Sequence, residues 1–550
     1  MKICPKSARL IFFVPGTPMP LLPYFTIRPW IPHPLRLAIA IILCLACASC
    51  LPTRVDQATI VSCRDPLASV QAMPPHLRLS FKYDALVHFY TISSSGCAWS
   101  KANERALLVV LDDAPAQGFG PDEFHMAAIR AEKNPELHDL LLTDAALRYA
   151  HAMRRGRVMP SNLARDVDIT LPAYDPAQGL RSAFAANMLA TWLRGLPPAQ
   201  PRYTLLVDAY AHYRKLAAAG GWTTLEVPEK PVRPGEQSPL LSALEQRLIA
   251  EGDLVLPQTV SESDRLEGAL LDALRHFQMR HGLAADGVLG EKTVAAMNVS
   301  AAARATQIAL NLERWRVLSQ AFDPTHFEVN VAAATATLYI DGTIALDMRA
   351  IVGAEDTPTP ILRSDIDTVT INPSWVVPLS IVRKEILPAI RRQPDYLEKH
   401  DMRWQGMQLV QAPGPKNSLG RLKFEMPSAF AVYLHDTPSR RLFARDERAL
   451  SHGCIRLEKP LDLAEILLND NPDWARSRIE QAIDAGVTQR IPLNREMPVI
   501  VVYWTSFVDK DGTVQFRNDV YGRDARLMTV LASGEPVSAA QGTSVGACRA

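Results

Sequence analysis

Hydrophobic residues follow different spacings in the two halves of the chain. From about residue 75 to 245, apolar side chains recur every three or four positions, which is typical of amphipathic helices. The clearest predicted helices cover residues 106–111, 140–154 and 203–219. In the second half the apolar runs are short and bounded by turn residues, which predicts strands at 327–332, 336–340, 344–352 and 368–371. Asp341-Gly342 between two of these strands favours a tight hairpin.

A small helical unit is predicted between the two halves. Residues 227–240 are rich in Pro, Glu and Lys, which indicates an exposed linker. After this linker, Leu270, Leu274 and Phe277 share one helical face, and residues 291–297 begin another helix after a turn. A further helix, from Ile308, leads into the strands.

Composition places the chain among ordinary globular proteins. Its 550 residues, 48% hydrophobic and 21% charged, are enough for about three domains. The formal net charge of +1 gives no basic footprint for nucleic acid, so we expect no nucleic-acid partner.

The N-terminal region has the pattern of a targeting segment. Residues 37–48 form an apolar stretch after Arg36, about as long as the apolar region of a signal peptide and short for a membrane span. Cleavage after Ala48 and lipid attachment at Cys50 are both compatible with the sequence, as are an uncleaved anchor and a natural start at Met19. We therefore expect export, with membrane attachment left open.

The eight cysteines divide between this segment and the exported body. Four belong to the targeting region: Cys4, Cys44, Cys47 and Cys50. In an oxidising compartment Cys63 and Cys97 could pair, whereas Cys548 lies in a Gly/Ser/Ala-rich tail and is given no role.

Cys454 is the candidate nucleophile. It lies in Ser451-His452-Gly453-Cys454, a polar, Gly-containing stretch before a predicted helix at Pro460. A reactive thiol needs a base or cation and donors for the oxyanion that it creates. His435 closes a predicted strand at 429–434, nineteen residues upstream, and a hairpin through residues 440–450 would bring its imidazole to the sulfur.

Two other interpretations of these residues stay open at this point. A lone cysteine is often a small buried hydrophobe. Cys454, His452 and His435 could instead ligate a metal, but the sequence has no evident fourth ligand and no Cys-x-x-Cys or His-x-x-x-His spacing, so neither a metal nor a cofactor is predicted.

The motif resembles that of a known enzyme family. Leu434-His435-Asp436-Thr437-Pro438 followed by Ser451-His452-Gly453-Cys454 is similar to the signature of the L,D-transpeptidase (YkuD-type) catalytic domain. The flanks at 372–378, 413–417 and 498–504 resemble the multidomain YcbB-like branch. Arg456 departs from the general signature, which has Asn there, but agrees with this branch.

The resemblance extends to the rest of the chain and implies a domain plan. Residues around 89–222 are similar to the scaffold domain of the same branch, and residues 277–293 to a three-helix peptidoglycan-binding module. The implied fold class is an α+β multidomain protein with a mainly β catalytic domain and an inserted lid. We predict a targeting segment at 1–50, a helical scaffold at 64–245, the peptidoglycan-binding-like module at 255–300, the catalytic domain at 325–506 with its insert at about 380–417, and an extension with a flexible tail at 507–550.

The resemblance also implies an activity in the periplasm. Cys454 would form a thioester with a peptidoglycan stem tetrapeptide, release the terminal D-residue and transfer the acyl group to an amine, with His435 as proton donor and acceptor. Backbone groups of Gly453 and Cys454 would hold the oxyanion, Arg456 would pair with a stem carboxylate, and Ser451 and His452 would line or orient the pocket.

Three matters stay open under this interpretation. Water could replace the amine, giving an L,D-carboxypeptidase. The chain could be a noncatalytic wall-binding scaffold. Other cell-wall synthases are conceivable partners.

Overall fold

The computed structural model describes residues 66–71, 82–92, 97–255 and 264–533. The predicted targeting segment 1–50, Cys63 and Cys548 lie outside the described residues, so the expectations about them stay untested. Cys97 is disulfide-bonded, which is compatible with the predicted pairing but does not identify the partner. No helix in the described ranges is both long and apolar enough to cross a membrane.

The first part of the described chain is helical, as the spacing predicts. Its helices are α1 Pro66–Gln71, α2 Tyr83–Ile92, α3 Lys101–Asp112, α4 Met126–Ala131, α5 Pro135–Arg155, α6 Pro160–Leu163, α7 Pro176–Ala185, α8 Leu189–Arg194 and α9 Pro201–Ala218. Two of the predicted helices begin earlier in the chain because a polar cap precedes each: Ser100 accepts from Asn103 N–H, and Asn134 accepts from the N–H groups of Glu136 and Leu137. A 3-10 turn covers Ala114–Gln117.

The next three helices share one small core. They are α10 Leu241–Glu251, α11 Gly268–Arg280 and α12 Glu291–Met297. Leu244, Leu274 and Phe277 are fully buried in that core, which confirms the predicted face of α11. This unit is fixed to the remainder of the fold by buried polar and aromatic contacts, such as Tyr213 Oη to Glu251 at 2.6 Å. The long helix α13, Ala301–Leu318, follows.

The second half is built on a β-sheet that closes on itself. Its strands are β1 Val167–Asp168, β2 His326–Asn330, β3 Thr335–Ile340, β4 Thr343–Gly353, β5 Ile361–Ile371, β9 Leu422–Glu425, β10 Leu434–His435, β11 Ala449–Ser451, β12 Ile455–Leu457 and β13 Gln489–Val502. The order β5-β13-β2-β3-β4-β12-β10-β9 returns to β5, because β9 also pairs with β5. The four strands predicted between residues 327 and 371 are confirmed, and Asp341 (φ 49°) and Gly342 (φ 78°) make the β3–β4 turn.

An insert between β5 and β9 has its own small core. It contains β6 Trp375–Val376, α14 Leu379–Ile381, a π-helical turn Val382–Ile386, α15 Leu387–Arg392, α16 Tyr396–Lys399, β7 Met402–Gln405 and β8 Gln408–Gln411. The three strands form a separate sheet in the order β6-β8-β7. Val377, Ile381, Val382, Ile386, Met402 and Leu409 are buried together beneath it.

The remaining elements pack around the barrel. They are α17 Pro460–Leu467, α18 Arg476–Asp484, β14 Ser506–Val508, β15 Val514–Phe516, α19 Arg523–Ser533, and 3-10 turns at Ser319–Ala321, Arg440–Ala444 and Pro472–Trp474. Residues 507–533 of the predicted extension are therefore folded. Phe516 and Leu527 join the main core, and Arg523 is paired with buried Asp166.

Three details of the sequence prediction around the nucleophile are wrong. The predicted strand 429–434 is reduced to Leu434–His435, because residues 429–430 form a turn and Ala431 has φ 52°. Strands β10 and β12 are neighbours but run parallel, so residues 436–454 form a crossover and not a hairpin. In addition, β12 separates Cys454 from the helix at Pro460, so the helix does not follow the cysteine directly.

Candidate active site

The pairing of β10 with β12 brings the predicted histidine and cysteine together. Leu434 lies opposite Ile455, and His435 lies opposite Arg456. Leu434 and Ile455 point into the core and are fully buried. Because side chains alternate along a strand, His435, Arg456 and Cys454 occupy the other face. All three line one cavity of about 210 Å³.

The loop before Cys454 is held in place by two threonines. Gly453 has φ +110°, a conformation that favours glycine. Its carbonyl accepts from Thr359 Oγ1 at 2.8 Å, and the Ser451 carbonyl accepts from Thr357 Oγ1 at 2.9 Å. Thr359 Oγ1 also accepts from Gly353 N–H at 2.8 Å. Hydrogen bonds therefore fix the nucleophile loop to the end of β4.

His435 is buried and poised as a neutral imidazole. Its Nδ1 lies 2.5 Å from the carbonyl oxygen of Asp436, so Nδ1 carries the proton and donates, leaving the lone pair on Nε2. Burial, helped by the nearby charge of Arg456, lowers the pKa of His435 to about 3. At neutral pH this histidine can accept a proton but does not supply a positive charge.

The group that orients His435 is a backbone carbonyl, which sequence reasoning did not identify. The Asp436 carboxylate points elsewhere: it accepts from Arg421 N–H at 2.9 Å and pairs with Arg440 at 2.8 Å. Neighbouring side chains on extended backbone face opposite ways, and Asp436 directly follows His435. A carbonyl partner leaves no signal in a sequence, because every residue has one.

Arg456 supplies the positive charge next to the sulfur. Burial lowers the pKa of its guanidinium, and the charge of Cys454 opposes that shift. The two groups are therefore close enough to interact electrostatically. Its Nε is buried and has no hydrogen-bond partner among the described residues. A partly buried cation with a donor to spare stabilises a thiolate and can receive a carboxylate or carbonyl of a ligand.

Ser451 and Gly453 shape the turn at the nucleophile. Ser451 Oγ donates to the Cys454 carbonyl at 2.5 Å and accepts from Gly453 N–H at 3.2 Å. Because Gly453 N–H is directed at Ser451 in this arrangement, its role as an oxyanion donor stays a prediction. Both residues lie beside Cys454, as the motif predicts.

His452 contacts the insert. Its Nε2 lies 2.5 Å from Glu385 Oε1, and both side chains are about half exposed, at 42% and 49%. Glu385 lies in the π-helical turn of the insert. Sequence reasoning missed this residue, although it falls within the predicted insert at about 380–417.

The cavity has one wall from the barrel and one from the insert. The barrel side provides the nucleophile and its neighbours: Leu419, Tyr433, His435, Ser451, His452, Cys454 and Arg456. The insert contributes Trp375, Pro378, Ile381, Glu385, Ile386, Tyr396, His400, Met402, Gln411 and Lys416. Within the described ranges no cluster of three His, Cys, Asp or Glu side chains is arranged to hold a metal ion. The site therefore has the parts of a thiol acyl-transfer centre: a buried thiol, a neutral base and a cation.

Three family models match successive parts of the chain. Residues 84–209 match a scaffold domain, residues 237–297 a "Putative peptidoglycan binding domain", and residues 324–501 the L,D-transpeptidase catalytic domain, YkuD. The third match contains His435, Cys454 and the whole insert.

One curated protein and two solved structures are similar to parts of the chain. A curated protein of Haemophilus influenzae named "Putative L,D-transpeptidase" is 33% identical over 242 residues, which are 40% of this chain and 48% of that protein. The alignment thus spans about half of the relative. Among solved structures, an L,D-transpeptidase from Mycobacterium smegmatis is 17% identical, with TM-score 0.18, over 32% of this chain and 58% of that one.

The catalytic domain of the E. faecium L,D-transpeptidase, solved as its ertapenem-acylated form, is 14% identical with TM-score 0.17, over 33% of this chain and 98% of that one. The resemblance inferred from the motifs is confirmed by the family models: residues 324–501 of this chain match the YkuD-type L,D-transpeptidase catalytic domain, preceded by regions that match scaffold and peptidoglycan-binding domains.

Proposed function

We propose that this protein is a cysteine-dependent L,D-transpeptidase that acts on peptidoglycan stem peptides. The observation that carries the proposal is the parallel pairing of β10 with β12, which puts His435, Cys454 and Arg456 on one face at a cavity. The match of residues 324–501 to the catalytic-domain model supports the reaction class.

In the first half-reaction, His435 Nε2 takes the thiol proton and Arg456 stabilises the thiolate. The sulfur attacks the carbonyl on the L-centre side of an L,D peptide bond in a stem tetrapeptide. The tetrahedral intermediate collapses, the C–N bond breaks, and His435 returns its proton to the leaving amine of the terminal D-residue. A thioester on Cys454 results. Because His435 is neutral, the proton that it gives to the leaving group is the one that it took from the thiol.

In the second half-reaction, an amine of another stem peptide attacks the thioester. A new amide forms, the C–S bond breaks, the attacking nitrogen gives up a proton to the departing sulfur, and the product is a 3-3 cross-link between two stems. Water in place of the amine would give a carboxypeptidase product. The cations Lys416 and Arg456 in the cavity suit the carboxylates of a stem peptide, which favours this substrate class.

The regions outside the catalytic domain fit a function at the cell wall. The region matching a peptidoglycan-binding domain would hold the catalytic domain near glycan strands. We infer a periplasmic location from the targeting pattern before residue 50, with signal cleavage, lipid attachment at Cys50 or an anchor as the routes, and with other cell-wall synthases as conceivable partners.

Product analysis tests the proposal. The full protein is incubated with a purified stem tetrapeptide, and the mixture is analysed by mass spectrometry. Native protein should release the terminal D-residue and form a 3-3 dimer, whereas Cys454→Ala should do neither. Release without a dimer would identify a carboxypeptidase. Binding to cell-wall sacculi with no product at all would overturn the enzymatic proposal in favour of the noncatalytic scaffold.

A further inference from the structure

Glu385 differs in charge from the other side chains that line the cavity. Of the described lining residues it is the one acidic group, whereas Lys416 and Arg456 are cationic. Under the proposed function the acyl donor brings carboxylates, which the cations suit. The acceptor brings a primary amine, which is an ammonium ion in neutral water. A single carboxylate in this cavity therefore suits the ammonium group that the acceptor presents.

The position of Glu385 agrees with this assignment. Glu385 and His452 are about half exposed, whereas Cys454 and His435 are 6% and 4% exposed. The Glu385–His452 pair thus lies toward solvent, and the nucleophile is more deeply buried in the same cavity. An acceptor that enters after the leaving residue has departed meets Glu385 before it reaches the thioester.

The local geometry leaves Glu385 able to bind a second group. A carboxylate has two oxygens with about four acceptor sites, and the contact to His452 Nε2 at 2.5 Å is made by Oε1. The residue lies in the π-helical turn Val382–Ile386, and its neighbours Ile381 and Ile386 line the same cavity. Such turns are frequent at functional sites.

We propose that Glu385 binds the ammonium group of the acyl acceptor, a primary amine of a second stem peptide, and that the Glu385–His452 pair accepts one proton from it. The resulting amine attacks the thioester carbonyl. As the C–N bond forms and the C–S bond breaks, a second proton passes from nitrogen to the departing sulfur of Cys454. This assignment rests on the proposed function and deepens it, because it makes amines preferred over water.

The test separates acylation from transfer. Native protein, Glu385→Gln and the control Glu398→Gln, a change elsewhere on the insert, are acylated with a stem tetrapeptide. Decay of the acyl-enzyme is followed by intact-mass measurement at increasing concentrations of one of two acceptors. Glycine has an amine that is charged at neutral pH, whereas hydroxylamine is uncharged at that pH. We expect Glu385→Gln to acylate within about twofold of native protein. It should need about tenfold more glycine for the same transfer rate, which is the factor that one charge-assisted contact supplies. Hydroxylamine transfer should be unchanged, and Glu385→Asp should recover part of the response to glycine.

Each other outcome overturns the assignment. Equal losses with glycine and hydroxylamine, or a loss of acylation itself, would show that Glu385 only maintains the insert. Behaviour of Glu385→Gln like that of Glu398→Gln would show that the carboxylate does not contact the acceptor. If native protein forms no acyl-enzyme, the proposed function fails first, and this assignment fails with it.

Discussion

Thr359 should control the reactivity of Cys454 although it does not touch the sulfur. The side chain is fully buried, and Oγ1 both accepts from Gly353 N–H and donates to the Gly453 carbonyl, each at 2.8 Å. Thr359→Val keeps the shape but leaves both backbone groups without this partner. A buried polar group that loses its partner costs about 1–3 kcal/mol, so two cost about 2–6 kcal/mol before relaxation. Because the loop can shift to recover part of this, we expect about 2–3 kcal/mol.

Two readouts follow from that magnitude. The melting temperature of the barrel should fall by about 5–10 °C, since 1 kcal/mol shifts a domain of this size by about 2–4 °C. Acylation of Cys454 by a carbapenem, measured by intact mass, should slow by about tenfold or more, because the loop spends less time in its reactive position. Thr337→Val, which removes an exposed contact to Asp347, is the matched control. If Thr359→Val acylates and melts like this control, the reasoning about the loop is refuted.

Three further predictions concern neighbouring residues. The folded state lowers the pKa of His435 to about 3, so the unfolded chain binds more protons than the folded chain between about pH 6.5 and 3. The free energy of unfolding therefore falls as the pH falls, and this residue accounts for a loss of about 2 kcal/mol at pH 5. The melting temperature of His435→Gln should be less sensitive to acid in this range, and an equal acid response would contradict the prediction. Arg456→Gln should raise the thiol pKa and slow alkylation of Cys454 by iodoacetamide at pH 7 about tenfold, with the pH profile moved upward; an unmoved profile would show that Arg456 does not stabilise the thiolate. Gly420→Ala should destabilise by about 1–3 kcal/mol, because Gly420 has φ +65° and a Cβ would lie 2.4 Å from Asp436 Oδ2. Gly406→Ala is the control, because Gly406 has a similar φ of +59° but open space around an added Cβ. The melting temperature should therefore fall more for Gly420→Ala than for Gly406→Ala, and equal falls would contradict the predicted clash.

The sequence predicts the elements of this fold well where the pattern is local. Helix α11 has a regular apolar face, and Asp341-Gly342 encodes a turn by residue type, so both could be predicted from short windows. The closure of the barrel could not, because β9 pairs with β5 across about fifty residues and no local pattern records which strands meet. The same limit explains why the neighbours β10 and β12 were expected to be antiparallel.

At the candidate site, too, some residues can be predicted from the sequence and others cannot. The motif identifies His435 and Cys454, since their residue types carry the chemistry. The Asp436 carbonyl that orients His435 is invisible in sequence, because it belongs to the backbone. Glu385 was missed for a different reason: its link to His452 spans 67 positions and depends on how the insert folds over the barrel.

Covalent capture of Cys454 tests the central claim most directly. Native protein and Cys454→Ala are incubated with a stem tetrapeptide and, separately, with a carbapenem, and their intact masses are followed with time. We predict that native protein gains the acyl mass from each reagent, that peptide mapping places it on Cys454, and that the alanine variant gains none. A native protein that stays unmodified by both reagents, or an acyl mass that persists in Cys454→Ala, would contradict the account.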